Sequence, residues 1–267
     1  MADAVIYEIA DDGIVILTLN KPELRNPISD QEMIEALLGA LDRLEDDPDA
    51  RVAILTGAGK GFSSGGNIQE MKPGGSLNTG SPVATRTGYN KGIQRLPLAF
   101  AKLEVPVIAA INGAAIGAGC DLTCMCDLRI AGQSARFAES FVKLGLIAGD
   151  GGSWLLPRVI GWSKAAEMAL TGDMIDAEEA LACGLVSRVV PDEELMDAAR
   201  ALALRIAANP PHAVRMTKRL LWEGRRVDLG SLLEMASAMQ AAAHTTQDHA
   251  EAVAAFLEKR KPLFRGK

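Results

Sequence analysis

The sequence predicts a mixed α/β core followed by a helical C-terminal portion. Three observations carry this: short apolar runs recur through residues 4–190, glycine-rich turns and helical patterns separate them, and after Pro191 the pattern is helical throughout. With 267 residues, 48% of them hydrophobic, the chain can bury a sizeable core without staples. The expected division is a core at 1–190 and a helical region at 191–267.

Residues 4–10 and 13–19 are β-rich runs around Asp11-Asp12-Gly13, which predicts a hairpin. After "NKPELRNP", Ser29-Asp30-Gln31-Glu32 has the spacing of a capping box, whose serine and glutamate satisfy open N–H groups at a helix start. Met33, Leu37, Leu41 and Leu44 continue that helix at helical spacing. Strands are predicted over 52–55, 105–111, 127–131 and 135–138, with a last one in 184–190. Residues 72–88 are rich in Gly, Pro, Ser and Thr and lack apolar periodicity, so a mobile loop is expected there.

The net charge of -6 argues against broad nucleic-acid binding, though a local basic patch can still receive an anionic group. The acidic start "MADAVIYEIADDG" lacks the basic and apolar regions of a signal peptide, and no segment has the unbroken apolar length of a membrane span. A cytoplasmic location with no membrane partner is therefore expected. The cysteines at 120, 124, 126 and 183 lack paired CxxC spacing and nearby histidines, so buried thiols are expected rather than a metal site.

The stretch "VAILTGAGKGFSSGG", residues 52–66, admits a dinucleotide loop, a hydrolase elbow or an oxyanion loop. Neither Tyr7 nor Tyr89 is followed four places on by the lysine a short-chain dehydrogenase needs, and two strands precede the loop. The phosphate-loop spacing fails because Lys60 is followed by Gly61. The elbow fails because Gly57 to Phe62 separate Thr56 from Ser63, and because His212, His244 and His249 all fall in the helical C-terminal part, where they read as surface or packing residues. An oxyanion loop remains, in which glycines let backbone N–H groups point at an oxygen that becomes negative. A companion is "INGAAIGAGCDL", residues 111–122, where Gly117 and Gly119 flank Ala118 at a predicted helix start with open N–H donors.

With these stretches in place, the sequence resembles the crotonase superfamily, the enoyl-CoA hydratase/isomerase family. "LNKPELRNPIS", "GKGFSSGGNIQEM", "NGAAIGAGCDLTCMCDLRIA" and "LTGDMIDAEEALACGLVSRVV" match its signatures in order over nearly the whole chain, and "FLEKRKP" fits its close. The resemblance implies a spiral of ββα units, C-terminal helices that assemble homotrimers or homohexamers, an acyl-CoA substrate, and no cofactor beyond the coenzyme A it carries. Carried over residue by residue, it puts the oxyanion N–H groups on Gly66 and Ala118. Ser64, Gly65, Gly66, Asn67, Ile68 and Gln69 then line the CoA channel, and Arg25 meets CoA phosphates. The C-terminal "EKRK" is implied to reach a neighbouring subunit's CoA. A solvated surface is the alternative for these basic residues.

Family hydratases place glutamates at the positions of Asp121 and Phe141, and this sequence departs at both. Asp121 keeps a carboxylate shortened by one methylene, about 1.5 Å of reach. Phe141 cannot exchange protons. Asp150 lies one place beyond a position where some family isomerases carry an acid, and an apolar pocket would raise its pKa. The alternatives are a helix cap at Asp150 and a structural hydrogen bond at Asp121. The chemistry expected is double-bond isomerisation or a variant hydration, with standard 2-enoyl-CoA hydration next. A non-catalytic acyl-CoA-binding homologue, thioester hydrolysis and C–C cleavage stay open on the same platform. Phe141 and Trp154 are expected to shape the acyl pocket.

Overall fold

The computed structural model describes residues 3–75, 77–78 and 80–267. Among these, the larger sheet holds β1 (Val5–Ile9), β2 (Ile14–Leu19), β3 (Val52–Gly57), β5 (Val107–Ile111), β7 (Leu128–Gly132) and β10 (Arg188–Val190), in that order. The smaller sheet holds β4 (Gly61–Ser63), β6 (Ala114–Ile116), β8 (Arg136–Ala138) and β9 (Met174–Asp176). The β1–β2 hairpin and the β8–β9 pair are antiparallel, and the remaining pairs are parallel. Each turn of chain adds a strand to the large sheet and the next strand to the small one: β3 then β4, β5 then β6, β7 then β8.

Helices close the turns. α1 (Gln31–Asp46) follows β2, α2 (Pro82–Lys91) and α3 (Arg95–Lys102) follow β4, and α4 (Ala118–Met125) follows β6. α5 (Gly152–Ile160) and α6 (Trp162–Thr171) follow β8, and α7 (Ala177–Ala182) follows β9. The chain ends in α8 (Leu195–Ala207), α9 (Pro211–Glu223), α10 (Leu229–His244) and α11 (Gln247–Leu257). This is the ββα spiral with C-terminal helices that the sequence implied. No helix among the described residues is long and apolar enough to cross a membrane.

Strand periodicity explains why the central runs are apolar throughout. Successive side chains of a strand point to opposite faces, so Ala53 and Leu55 join the main core with α1, while Val52 and Ile54 pack with Leu195, Ala199 and Ala203 of α8. Both faces of the sheet are therefore covered, as a parallel sheet requires.

Two local expectations are corrected. The capping box does not form: Asp30 is the residue before α1 and makes no side-chain cap bond, while Ser29 Oγ accepts from Asn67 N–H at 3.0 Å. The serine is used by a distant loop instead of its own helix. Within 72–88, residues 82–88 are helical as part of α2. Ser81 caps this helix and Pro82 starts it, and it buries none of its side chains, which is why no apolar period marked it.

Candidate active site

The site begins with Asn26, a residue the sequence reading passed over. Its side chain is completely buried, accepts from Lys21 N–H at 2.9 Å and donates to the carbonyls of Ala58, Gly61 and Phe62 at 3.0–3.2 Å. Arg25 and Asn26 take left-handed backbone angles, φ 64° and 53°, that let this side chain turn inward. Ser63 Oγ donates to Asn26 O and accepts from Gly65 N–H, which makes it a buried brace. Asn26→Ala should cost about 2–4 kcal/mol, since several buried backbone groups lose their partners. Urea unfolding midpoints of the two proteins would measure it.

So braced, the 61–67 loop lies against the start of α4. Gly65 has φ +76°, and a Cβ there would overlap Ile116 O and reach Ala118 N at 2.8 Å. Only glycine allows this approach. The N–H groups of Gly66 and Ala118 donate no hydrogen bond among the described residues. Ser64 N–H binds Arg25 O, and Asn67 caps the short turn Ile68–Met71, leaving Ile68, Gln69 and Arg25 exposed beside the loop. The Phe141 ring packs over Gly117, 3.6 Å from where a Cβ would stand.

Asp121 and Asp150 come together in the interior. Asp121, in the first turn of α4, is fully buried, and Asp150 is 2% exposed. Asp150 caps nothing: α5 is preceded by Gly151 and has no side-chain cap. None of the four carboxyl oxygens receives a donor, and the two groups can bond each other only by sharing a proton. Gly152 completes the fit, because a side chain there would strike both oxygens of Asp121.

Burial pushes the Asp121 carboxyl well above the usual range, with the Asp150 and Glu139 charges adding to it. Burial also raises Asp150, but the hydrogen bond from Asp121 holds it down. Both carboxyls thus hold a proton more tightly than a free aspartate, and they titrate as a pair.

Glu139, missed in the sequence, sits at the end of β8 with 2% exposure. It is pushed up to about 7 by burial, against hydrogen bonds from Asp121 and Cys120. No motif spacing marks it, since only the fold brings residues 121, 139 and 150 together. Among the described residues no group of three His, Cys, Asp or Glu is disposed to hold a metal ion.

Asp150 also borders a cavity of about 340 Å³ lined by Gln94, Pro97, Leu98, Ala101, Trp154 and Trp222, among others. Trp154 stacks on Trp222 with ring centres 6.2 Å apart, and Arg158 covers Trp154 at 4.0 Å. Tyr89 of α2 packs on Gly149 next to Asp150. The histidines lie apart: His212 meets Gly266 O, and His244 meets His249 at 3.1 Å on the exposed C-terminal helices.

The family model described as enoyl-CoA hydratase/isomerase matches residues 10–267. The 1,2-epoxyphenylacetyl-CoA isomerase of Escherichia coli (strain K12) is 39% identical, over 98% of each chain. The short-chain-enoyl-CoA hydratase of Clostridium acetobutylicum is 37% identical, over 93% of this chain and 92% of that protein. The crystal structure of an enoyl-CoA hydratase from Bacillus anthracis superposes with a TM-score of 0.91 at 35% identity, covering 99% of this chain and 100% of that one. With sequence signatures, spiral fold and whole-length relatives in agreement, the chain belongs to the enoyl-CoA hydratase/isomerase family, the crotonase superfamily, and is an enzyme of that family.

Proposed function

We propose that this enzyme moves a double bond in an enoyl-CoA by proton transfer through Asp150. The observation that carries the reading is the donorless Asp121–Asp150 pair, with Asp150 at the wall of an apolar cavity and Phe141 in place of a second family glutamate. The thioester oxygen is held by the N–H groups of Gly66 and Ala118, which stabilise the negative charge as the enolate forms; losing one comparable donor costs about 3–4 kcal/mol of transition-state stabilisation. Asp150 takes a proton from one carbon, the electron pair delocalises into the dienolate, and the same carboxyl returns the proton two carbons along. No water is consumed.

Asp121 supports this by donating its hydrogen bond to the Asp150 carboxylate. Arg25 and the Ser64–Gln69 edge face the CoA, and the cavity beyond Asp150 takes the acyl group, with Trp154 in its wall. The relative named 1,2-epoxyphenylacetyl-CoA isomerase supports isomerisation of an acyl-CoA in general, and the named hydratases make water addition the second reading. Assembly as a homotrimer or homohexamer fits α10, an apolar helix that buries no residue within its own chain.

The test is mass spectrometry of trans-2- and trans-3-enoyl-CoA substrates of several lengths after incubation in H2O and D2O. Deuterium uptake with double-bond migration and no added water is the expected result. Gain of one water would replace the proposal with hydration. Free CoA would point to thioester hydrolysis, and no change despite CoA binding to a binding homologue.

A further inference from the structure

Among the described residues three buried carboxyls, Asp121, Glu139 and Asp150, have oxygens with no hydrogen-bond partner, and the proton transfer proposed above uses only two of them. Glu139 follows β8 at once and is 2% exposed, and its Oε1 is buried with no hydrogen-bond partner among the described residues. Its neighbours are the Asp121 carboxyl and the Cys120 thiol, both on α4, each placed to donate to it. Asp121 therefore has two acidic neighbours, Glu139 and Asp150, whose charges both act on it.

The groups that act most strongly on this trio are one another, Cys120 and Cys124 of α4, with Tyr89 of α2 beside Asp150; none is a cation. Three adjacent carboxyls without a counter-charge cannot all ionise, so the cluster retains protons at neutral pH.

We propose that Glu139 is a positioning residue for the proton transfer, competing with Asp150 for the proton of Asp121 and so setting how basic Asp150 is. The proposal rests on Asp150 being the base. With Glu139 charged, the second negative group makes ionisation of the Asp121–Asp150 pair harder and the Asp150 carboxylate a stronger base. When Asp150 takes the substrate proton it becomes neutral, and the Asp121 hydrogen bond is free to settle on Glu139. When Asp150 returns the proton to carbon, the bond swings back. The cycle neither gains nor loses a proton.

A side chain that only filled space would leave the titration of Asp150 unchanged, and this separates the two roles. The experiment compares the full-length protein with Glu139→Gln and Glu139→Asp by two readouts. In the first, the pH dependence of deuterium exchange into the acyl-CoA reports the ionisation that activates the base. Removing the like charge lowers the pKa of the remaining pair, so the acidic limb of Glu139→Gln should move to lower pH by on the order of one unit. The plateau rate should fall as the base weakens, and Glu139→Asp should restore the limb towards the parent position. An identical limb in parent and Glu139→Gln overturns the proposal.

The second readout needs no turnover. The infrared carbonyl band of protonated carboxyl groups is followed with pH in the ligand-free proteins. The parent should lose a component as pH rises through neutrality, and Glu139→Gln should lack that component. If it is absent from the parent, proton sharing by Glu139 is overturned. If it is present but no thioester exchanges hydrogen, the proposed reaction has failed while the shared proton stands.

Discussion

Asp150→Asn is expected to lower the rate of double-bond migration by about 10²–10⁴-fold, the usual contribution of a positioned acid or base. The substitution is nearly isosteric, and the amide oxygen still accepts from Asp121, so the fold should hold. Stability should move the other way. Burial raises the folded pKa of Asp150 above its unfolded value, so the native state holds this proton more tightly than the unfolded chain. Its stabilising contribution is complete below the unfolded pKa and declines as pH rises towards the folded one. At neutral pH the variant, freed of an ionised buried group, should melt at an equal or higher temperature than the parent. Retained exchange at the parent rate would remove Asp150 from the mechanism.

Gly65→Ala should damage both fold and rate. The added methyl would overlap Ile116 O and press on Ala118 N at 2.8 Å, in a backbone conformation, φ +76°, that alanine resists. The left-handed angle costs about 1–2 kcal/mol and the overlap about 1–3 kcal/mol more. Displacing the Ala118 N–H should also reduce kcat by about 10²–10³-fold, as when an oxyanion donor is lost. Gly145→Ala is the control, since the backbone there is left-handed, φ +70°, but no atom lies within 4 Å of the new methyl. It should show the conformational cost alone, with kcat unchanged. Equal kcat in both variants would mean that the approach of residues 65 and 118 has no part in catalysis.

The strands were legible because the large sheet is covered on both faces, so runs such as Val52–Gly57 are buried at every position and apolar from Val52 to Leu55. α2 was not legible, because it buries no side chain fully and only Tyr89 packs against the core, too little to mark an apolar period. Ser29 misled for a related reason: its spacing fits a local cap, but the tertiary fold supplies a competing donor from Asn67. The close approach of the 61–67 loop to the start of α4 was legible in the glycines, because Gly65 and Gly119 stand where chain meets chain. Asp150 was left open between catalysis and capping, and Asp121 between catalysis and a structural hydrogen bond; the absence of a side-chain cap at α5 removes the capping alternative for Asp150. Glu139 and Asn26 carried no sequence signal at all: each matters through contacts set by residues far along the chain.

In both sheets the spatial order of strands is their order in the chain. A protein emerging from the ribosome can therefore add one strand at a time to a growing edge, without reopening what has formed. Until the chain is nearly complete, however, that edge presents unpaired N–H and C=O groups to any other nascent chain. The final strand, Arg188–Val190, is only three residues long and is followed by Pro191, which has no N–H to offer. The last addition thus acts as a terminator. Lengthening it, or replacing the proline, should be felt first as clumping during synthesis rather than as lost activity in the finished enzyme.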